Sequence, residues 1–116
     1  MASLEMDGPY SLDEKSINQV ITKGSAGNYA LGCKNKEGAF LVDYVGRSDT
    51  DVGDRVKSWV NISDQPLFKF SYATSPKGAF EKECANYHDF SPPRNNTHPD
   101  RPKDTNWSCP RCKIFD

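Results

Sequence analysis

Tyr44-Val45-Gly46-Arg47-Ser48-Asp49-Thr50-Asp51-Val52-Gly53-Asp54-Arg55 is the stretch whose reading decides the fold, because one periodicity gives way to another within it. The run leading into it, Ala39 to Val45, has the β-branched and aromatic content of a strand, and Gly46 marks the expected strand end. From Asp49 onward the apolar residues recur at helical steps, Val52, Val56 and Trp59/Val60, behind an Asp or Thr able to cap a helix. A strand therefore hands directly to a helix. The junction gathers a tyrosine hydroxyl, a glycine and the guanidinium groups of Arg47 and Arg55, a set suited to holding a phosphate.

Upstream, Asn28 to Lys34 reads as a strand, and Asn35-Lys36-Glu37-Gly38 as the turn that makes it a hairpin with the next. Ser11-Leu12-Asp13-Glu14 has the form of a capping box. Leu12, Ile17, Val20 and Ile21 can share one face of a short helix ending near Lys23-Gly24. Residues 1–10 show no periodicity and read as a flexible N-terminus. Downstream, Leu67 to Thr74 alternates so that Phe68, Phe70 and Tyr72 share a face, a third strand. Ser75-Pro76 opens a helix along which Ala79, Phe80, Cys84, Tyr87 and His88 recur. The expected class is α+β: a small three-stranded antiparallel sheet flanked by helices over residues 11–96, then an irregular Cys-containing tail over 97–116.

A chain of 116 residues suits one domain with a modest core. The net charge of -1 is not the basic excess of a strong nucleic-acid binder, but the first 22 residues hold four acids against Lys15, so the remainder is slightly basic. No window is apolar for the ~18 residues a membrane span needs, and residues 1–25 lack a signal peptide's apolar run. The expectation is a cytoplasmic protein without membrane association, whose four cysteines are reduced or metal-bound.

Cys109-Pro110-Arg111-Cys112 is half of a structural zinc site. Cys84 and His88, one helical turn apart, are the expected other half, with His98 as a substitute for His88. Such a site would staple the tail to the last helix. The alternative is that Cys84, like Cys33, is a core residue and that Cys109 and Cys112 are free thiols.

Several of these segments together resemble the GIY-YIG nuclease superfamily. Gly27-Asn28-Tyr29 resembles its first signature, with Asn in place of Ile, and Tyr44-Val45-Gly46 its second. Arg55 takes the place of the arginine on the first long helix. Glu83, four residues after Ala79, and Asn95, just past Pro92-Pro93, match its third and fourth motifs. The correspondence covers about 70 of the 116 residues.

The resemblance implies hydrolysis of a nucleic-acid phosphodiester, DNA foremost, with Mg²⁺ or Mn²⁺ at Glu83. Arg55 would bind the scissile phosphate and Arg47 would add positive charge. Tyr29 and Tyr44 would be the base and its hydrogen-bond partner, in either order, and Asn95 would orient the site. Trp59 stands where some relatives carry a further polar catalytic residue. Two alternatives accompany this reading: a catalytically inactive GIY-YIG-type module binding nucleic acid or a protein partner, and a small structural zinc protein.

Overall fold

The structure is a computed structural model that describes residues 4–90, 92–95, 98–102 and 105–112. The architecture is α+β, built on one antiparallel sheet of four strands in the order β1-β4-β2-β3. β2 (Gly27–Lys34) and β3 (Phe40–Ser48) form the expected hairpin, and β4 (Leu67–Tyr72) pairs with the other side of β2. The hairpin turn is held by Asn35, whose Oδ1 accepts from the backbone N–H groups of Glu37 and Ala39, each at 2.9 Å.

The sheet has one strand more than the sequence leads one to expect. Within the stretch read as a flexible end, Asp7–Ser11 forms β1 on the free edge of β4, with Tyr10 opposite Phe68. Its Asp-Gly-Pro-Tyr-Ser sequence carries no hydrophobic alternation, so only the partner strand's open hydrogen bonds define it. Leu4, just ahead, is buried beside Ala30 and Val45.

Three helices cover the sheet. α1 (Glu14–Val20) is capped by Asp13, whose side chain accepts from Ser16 N at 2.7 Å, and not by Ser11. α2 (Val52–Lys57) is capped by Asp51 in the same way. These two pack Ile17, Ile21, Val52 and Val56 against Tyr29, Leu31, Phe68 and Phe70, closing the main core. α3 (Pro76–Phe90) begins where Ser75-Pro76 predicts, with Ser75 Oγ accepting from Gly78 N at 3.0 Å, and lies on the opposite face against β3 and β2.

Asn28, the residue standing in place of Ile in the first signature, is fully buried on the α3 face and donates through Nδ2 to Ala79 O at 2.8 Å. It therefore fastens the start of α3 to the middle of the sheet. Gly27 is required for a comparable closeness on the other face, since a Cβ there would collide with Ser71 O and press on Val52 of α2. No helix among the described residues is long and apolar enough to cross a membrane.

Candidate functional site

Gly46 does not end its strand. β3 runs through to Ser48, and Gly46 sits directly opposite Tyr29 of β2. A Cβ at Gly46 would overlap the Tyr29 ring and hydroxyl, so the missing side chain is what lets the Tyr29 phenol cross over the neighbouring strand. Because β3 is an edge strand, this gap opens onto the rim of the sheet. There it becomes the floor of a cleft of about 480 Å³ lined by Tyr29, Tyr44, Arg47, Asp49, Arg55 and Glu83, among others.

The cleft draws on both faces of the sheet. Tyr29 and Tyr44 project toward α2, which supplies Arg55, whereas Arg47 projects toward α3, which supplies Glu83. Only at an edge, and beside a glycine, can these groups look into one hollow. The upper part of that edge is closed by residues 92–95. Arg94 N donates to Asp43 O at 3.0 Å, and the Asn95 side chain pairs with both backbone groups of Val45 at 2.9 and 3.0 Å.

Asn95 thus acts as a surrogate strand for Val45 and holds the loop that borders the cleft. It also lines an adjoining hollow of about 350 Å³ with Tyr44, Glu83, His98 and Asp100. Asn95→Ala is expected to destabilise the fold by about 1–3 kcal/mol, read from urea unfolding, because Val45 loses two partners.

Tyr29 is the enclosed member of the tyrosine pair. Its hydroxyl accepts from Trp59 Nε1 at 2.8 Å, and burial raises its phenol well above the ordinary range, with Trp59 and Arg55 opposing the rise. Tyr44 is half-buried, 6.2 Å from Tyr29 and 5.0 Å from Trp59 between ring centroids. Burial and the Glu83 charge raise its phenol, while Arg55 and a hydrogen bond with Tyr29 restrain it. The cation that opposes the rise at both tyrosines is Arg55. Trp59→Phe is expected to cost about 1 kcal/mol of stability and to loosen the Tyr29 ring, visible as a changed alkaline absorbance titration of tyrosine.

Arg47 is instead committed to a network of its own. Nη1 pairs with Glu83 Oε1, Nε with Asp49 Oδ1 at 3.1 Å, and Nη2 donates to the backbone carbonyl of Asp100 at 2.6 Å. Its guanidinium also lies over the Phe80 ring at 5.1 Å. Burial would lower the Arg47 pKa, and the Glu83 and Asp49 carboxylates outweigh it. Burial raises the Glu83 carboxyl, with Arg47 opposing.

Asp49 and Asp100 enter the cleft without having been singled out in the sequence. Asp49 lies inside the diagnostic stretch and was legible only as a helix cap. Asp100 arrives from an irregular segment with no signal beyond its charge.

A second cluster lies beyond α3. The ligand atoms of His88, His98, Cys109 and Cys112 all fall within 4.8 Å of one another, a group that could hold a metal ion. Its membership corrects the sequence expectation at one position: His98 takes the place of Cys84. Cys84 faces inward with Phe80 beside Cys109, where burial foremost, and then the neighbouring Cys109, pushes its thiol up. Burial also acts to raise Cys109, but hydrogen bonding with Arg111 N, foremost, and with Cys112 overcomes it and brings that thiol down to about 7. Trp107, packed on Phe80 at 6.0 Å, and Arg111, paired with Asp89, attach the tail to α3 around this cluster.

No family model matches the chain, and no match was found among curated proteins or solved structures. The functional reading therefore rests on the geometry and chemistry of the two sites.

Proposed function

We propose that this chain is a GIY-YIG-type endonuclease domain that hydrolyses nucleic-acid phosphodiester bonds, DNA foremost, with Mg²⁺ or Mn²⁺ at Glu83. One observation carries the reading: Tyr29, Tyr44, Arg55 and Glu83, drawn from two strands and two helices on opposite faces, line the same cleft at the sheet edge. The inner strand β2 bears Gly27-Asn28-Tyr29 and its edge neighbour β3 bears Tyr44-Val45-Gly46, and the two stretches meet where Tyr29 pairs with Gly46.

In this reading Arg55, exposed at the cleft mouth, binds the scissile phosphate through its planar fork. Tyr44 is the phenol that meets the reactants, since Tyr29 is enclosed and occupied by Trp59. Glu83 presents a carboxylate whose Oε1 is taken by Arg47. A single carboxylate oxygen with water in the remaining positions suits Mg²⁺ or Mn²⁺, and the ion when bound supplies Lewis acidity toward a phosphoryl oxygen. Arg47 holds Glu83 in place, and Asn95 holds the cleft's border.

The ion assigned to the His88, His98, Cys109 and Cys112 group is zinc, because two thiolates and two imidazoles in a closed set are its characteristic donors. A cytoplasmic setting, where thiols stay reduced, is compatible with that use of the cysteines.

The Arg47–Glu83 pair favours one alternative, a GIY-YIG-type fold that binds nucleic acid or a protein partner without cleaving, since it neutralises the only family-matched acid. Incubation with branched and nicked DNA, with Mg²⁺ or Mn²⁺ and beside a Glu83→Gln control, separates the two. Cleavage lost in the control supports the nuclease, while binding without cleavage in both proteins establishes the alternative.

A further inference from the structure

The two sites are joined by a short piece of chain. His98 belongs to the His/Cys group, and two residues on, the Asp100 carbonyl accepts from Arg47 Nη2 at 2.6 Å. Asp100 also lines both the main cleft and its neighbour. Within the described residues, the segment 98–102 contains neither helix nor strand, so side-chain anchors must place it. Its anchors include His98 at the group, 3.4 Å from Cys112 Sγ, Arg101, which donates to Trp107 O at 3.1 Å, and Pro102, whose carbonyl accepts from Thr105 Oγ1 at 2.6 Å.

The group itself is prepared for an ion. His98 Nδ1 lies 2.7 Å from Pro99 O; a carbonyl only accepts, so Nδ1 carries the proton and the Nε2 lone pair turns toward the sulfurs. His88 Nε2 is buried with no hydrogen-bond partner among the described residues, the state of an imidazole nitrogen awaiting a Lewis acid. Arg111 N donates to Cys109 Sγ at 3.4 Å, stabilising a thiolate. Tyr87 packs edge-on against both imidazoles, at 5.2 and 5.4 Å, fixing their planes.

We propose that one Zn²⁺ bound by His88, His98, Cys109 and Cys112 sets the position of Arg47, by holding His98-Pro99-Asp100 so that the Asp100 carbonyl caps the guanidinium in the cleft. The ion is then a positioning element for the cleft wall as well as a staple for the tail. Binding and the Arg47–Asp100 contact are thermodynamically linked, so each strengthens the other by the same factor. This rests on the zinc assignment and not on hydrolysis.

The test uses the full chain and no nucleic acid. Metal analysis should find one zinc per chain, lost on Cys109→Ser or His98→Ala and retained on Cys84→Ser. Arg47→Lys keeps the charge beside Glu83 but gives up the second arm of the guanidinium, and should weaken zinc about tenfold in competition with a chelator. In the unsubstituted chain, zinc removal should shift the NMR signals of Gly46, Arg47 Nε and Asp100 while those of Tyr10 and Phe68 across the sheet stay in place. Absence of stoichiometric zinc, or retention of Cys84 dependence instead of His98 dependence, overturns the site. An unchanged zinc affinity in Arg47→Lys overturns the coupling. Should that variant not fold, unmoved Gly46 and Arg47 signals on zinc removal overturn it instead. An inactive protein that passes these measurements leaves the inference standing.

Discussion

Glu83→Gln is expected to reduce Mg²⁺- or Mn²⁺-dependent cleavage at least about a hundredfold while leaving the protein folded. Glutamine keeps the shape of the side chain and one oxygen for Arg47 Nη1, so the contact that seats the guanidinium survives. Arg47 also keeps Asp49 and the Asp100 carbonyl. What disappears is the negative charge that a divalent ion requires. Stability should accordingly change by no more than about 1 kcal/mol in urea, so a large loss of cleavage would be chemical.

The pH dependence of the same pair has a defined sign. Burial raises the folded-state pKa of Glu83 above its unfolded value, so the folded protein holds the proton more tightly. The associated stability is fully present below the unfolded pKa and is lost as pH rises through the folded one. Glu83→Gln, which cannot ionise, should flatten this part of the stability profile. An unfolding series across the carboxyl range checks it, and a profile steepened by the substitution would contradict the burial argument.

Gly46→Ala is expected to destabilise the fold by about 2–3 kcal/mol, which is roughly a 10 °C loss in Tm for a chain of this size. The added methyl would fall on the Cζ and hydroxyl of Tyr29, and that ring has no room to withdraw, being 1% exposed and fastened to Trp59. Either the β2–β3 pairing opens at this point or the phenol leaves its seat. Both outcomes would change the fluorescence of Trp59, which donates to that phenol. A Gly46→Ala protein with unaltered Tm would mean that Tyr29 does not depend on the gap at all. Gly46→Val should be worse, since its branched carbon points two more methyl groups into the same ring.

How much of this was legible in the sequence differs from element to element. The hairpin was, because Asn35 to Gly38 supplies turn chemistry between two β-rich runs. β4 and the start of α3 were, from the alternation of Phe68 and Phe70 and the pairing of Ser75 with Pro76. β1 was not: Asp7 to Ser11 has no pattern of its own, and it is a strand because the far side of β4 offers unpaired backbone groups. Three of the four members of the His/Cys cluster were legible. Spacing exposed the Cys109/Cys112 pair and put His88 on its helix, but a four-residue step places Cys84 and His88 only on neighbouring parts of one surface. Whether the fourth ligand comes from that helix or from an irregular segment is a question of chain path.

The chain's letters alone therefore determined which residue types stand at the ends of strands and on which helices: two phenols, two guanidiniums and one acid at suggestive intervals. Tertiary structure decided that they meet. Arg47 and Tyr44 leave β3 toward opposite faces, and strand alternation by itself would keep their partners apart. They share a cleft because β3 is the edge of the sheet and Gly46 leaves that edge bare, so side chains from α2 and α3 can reach around it from either side.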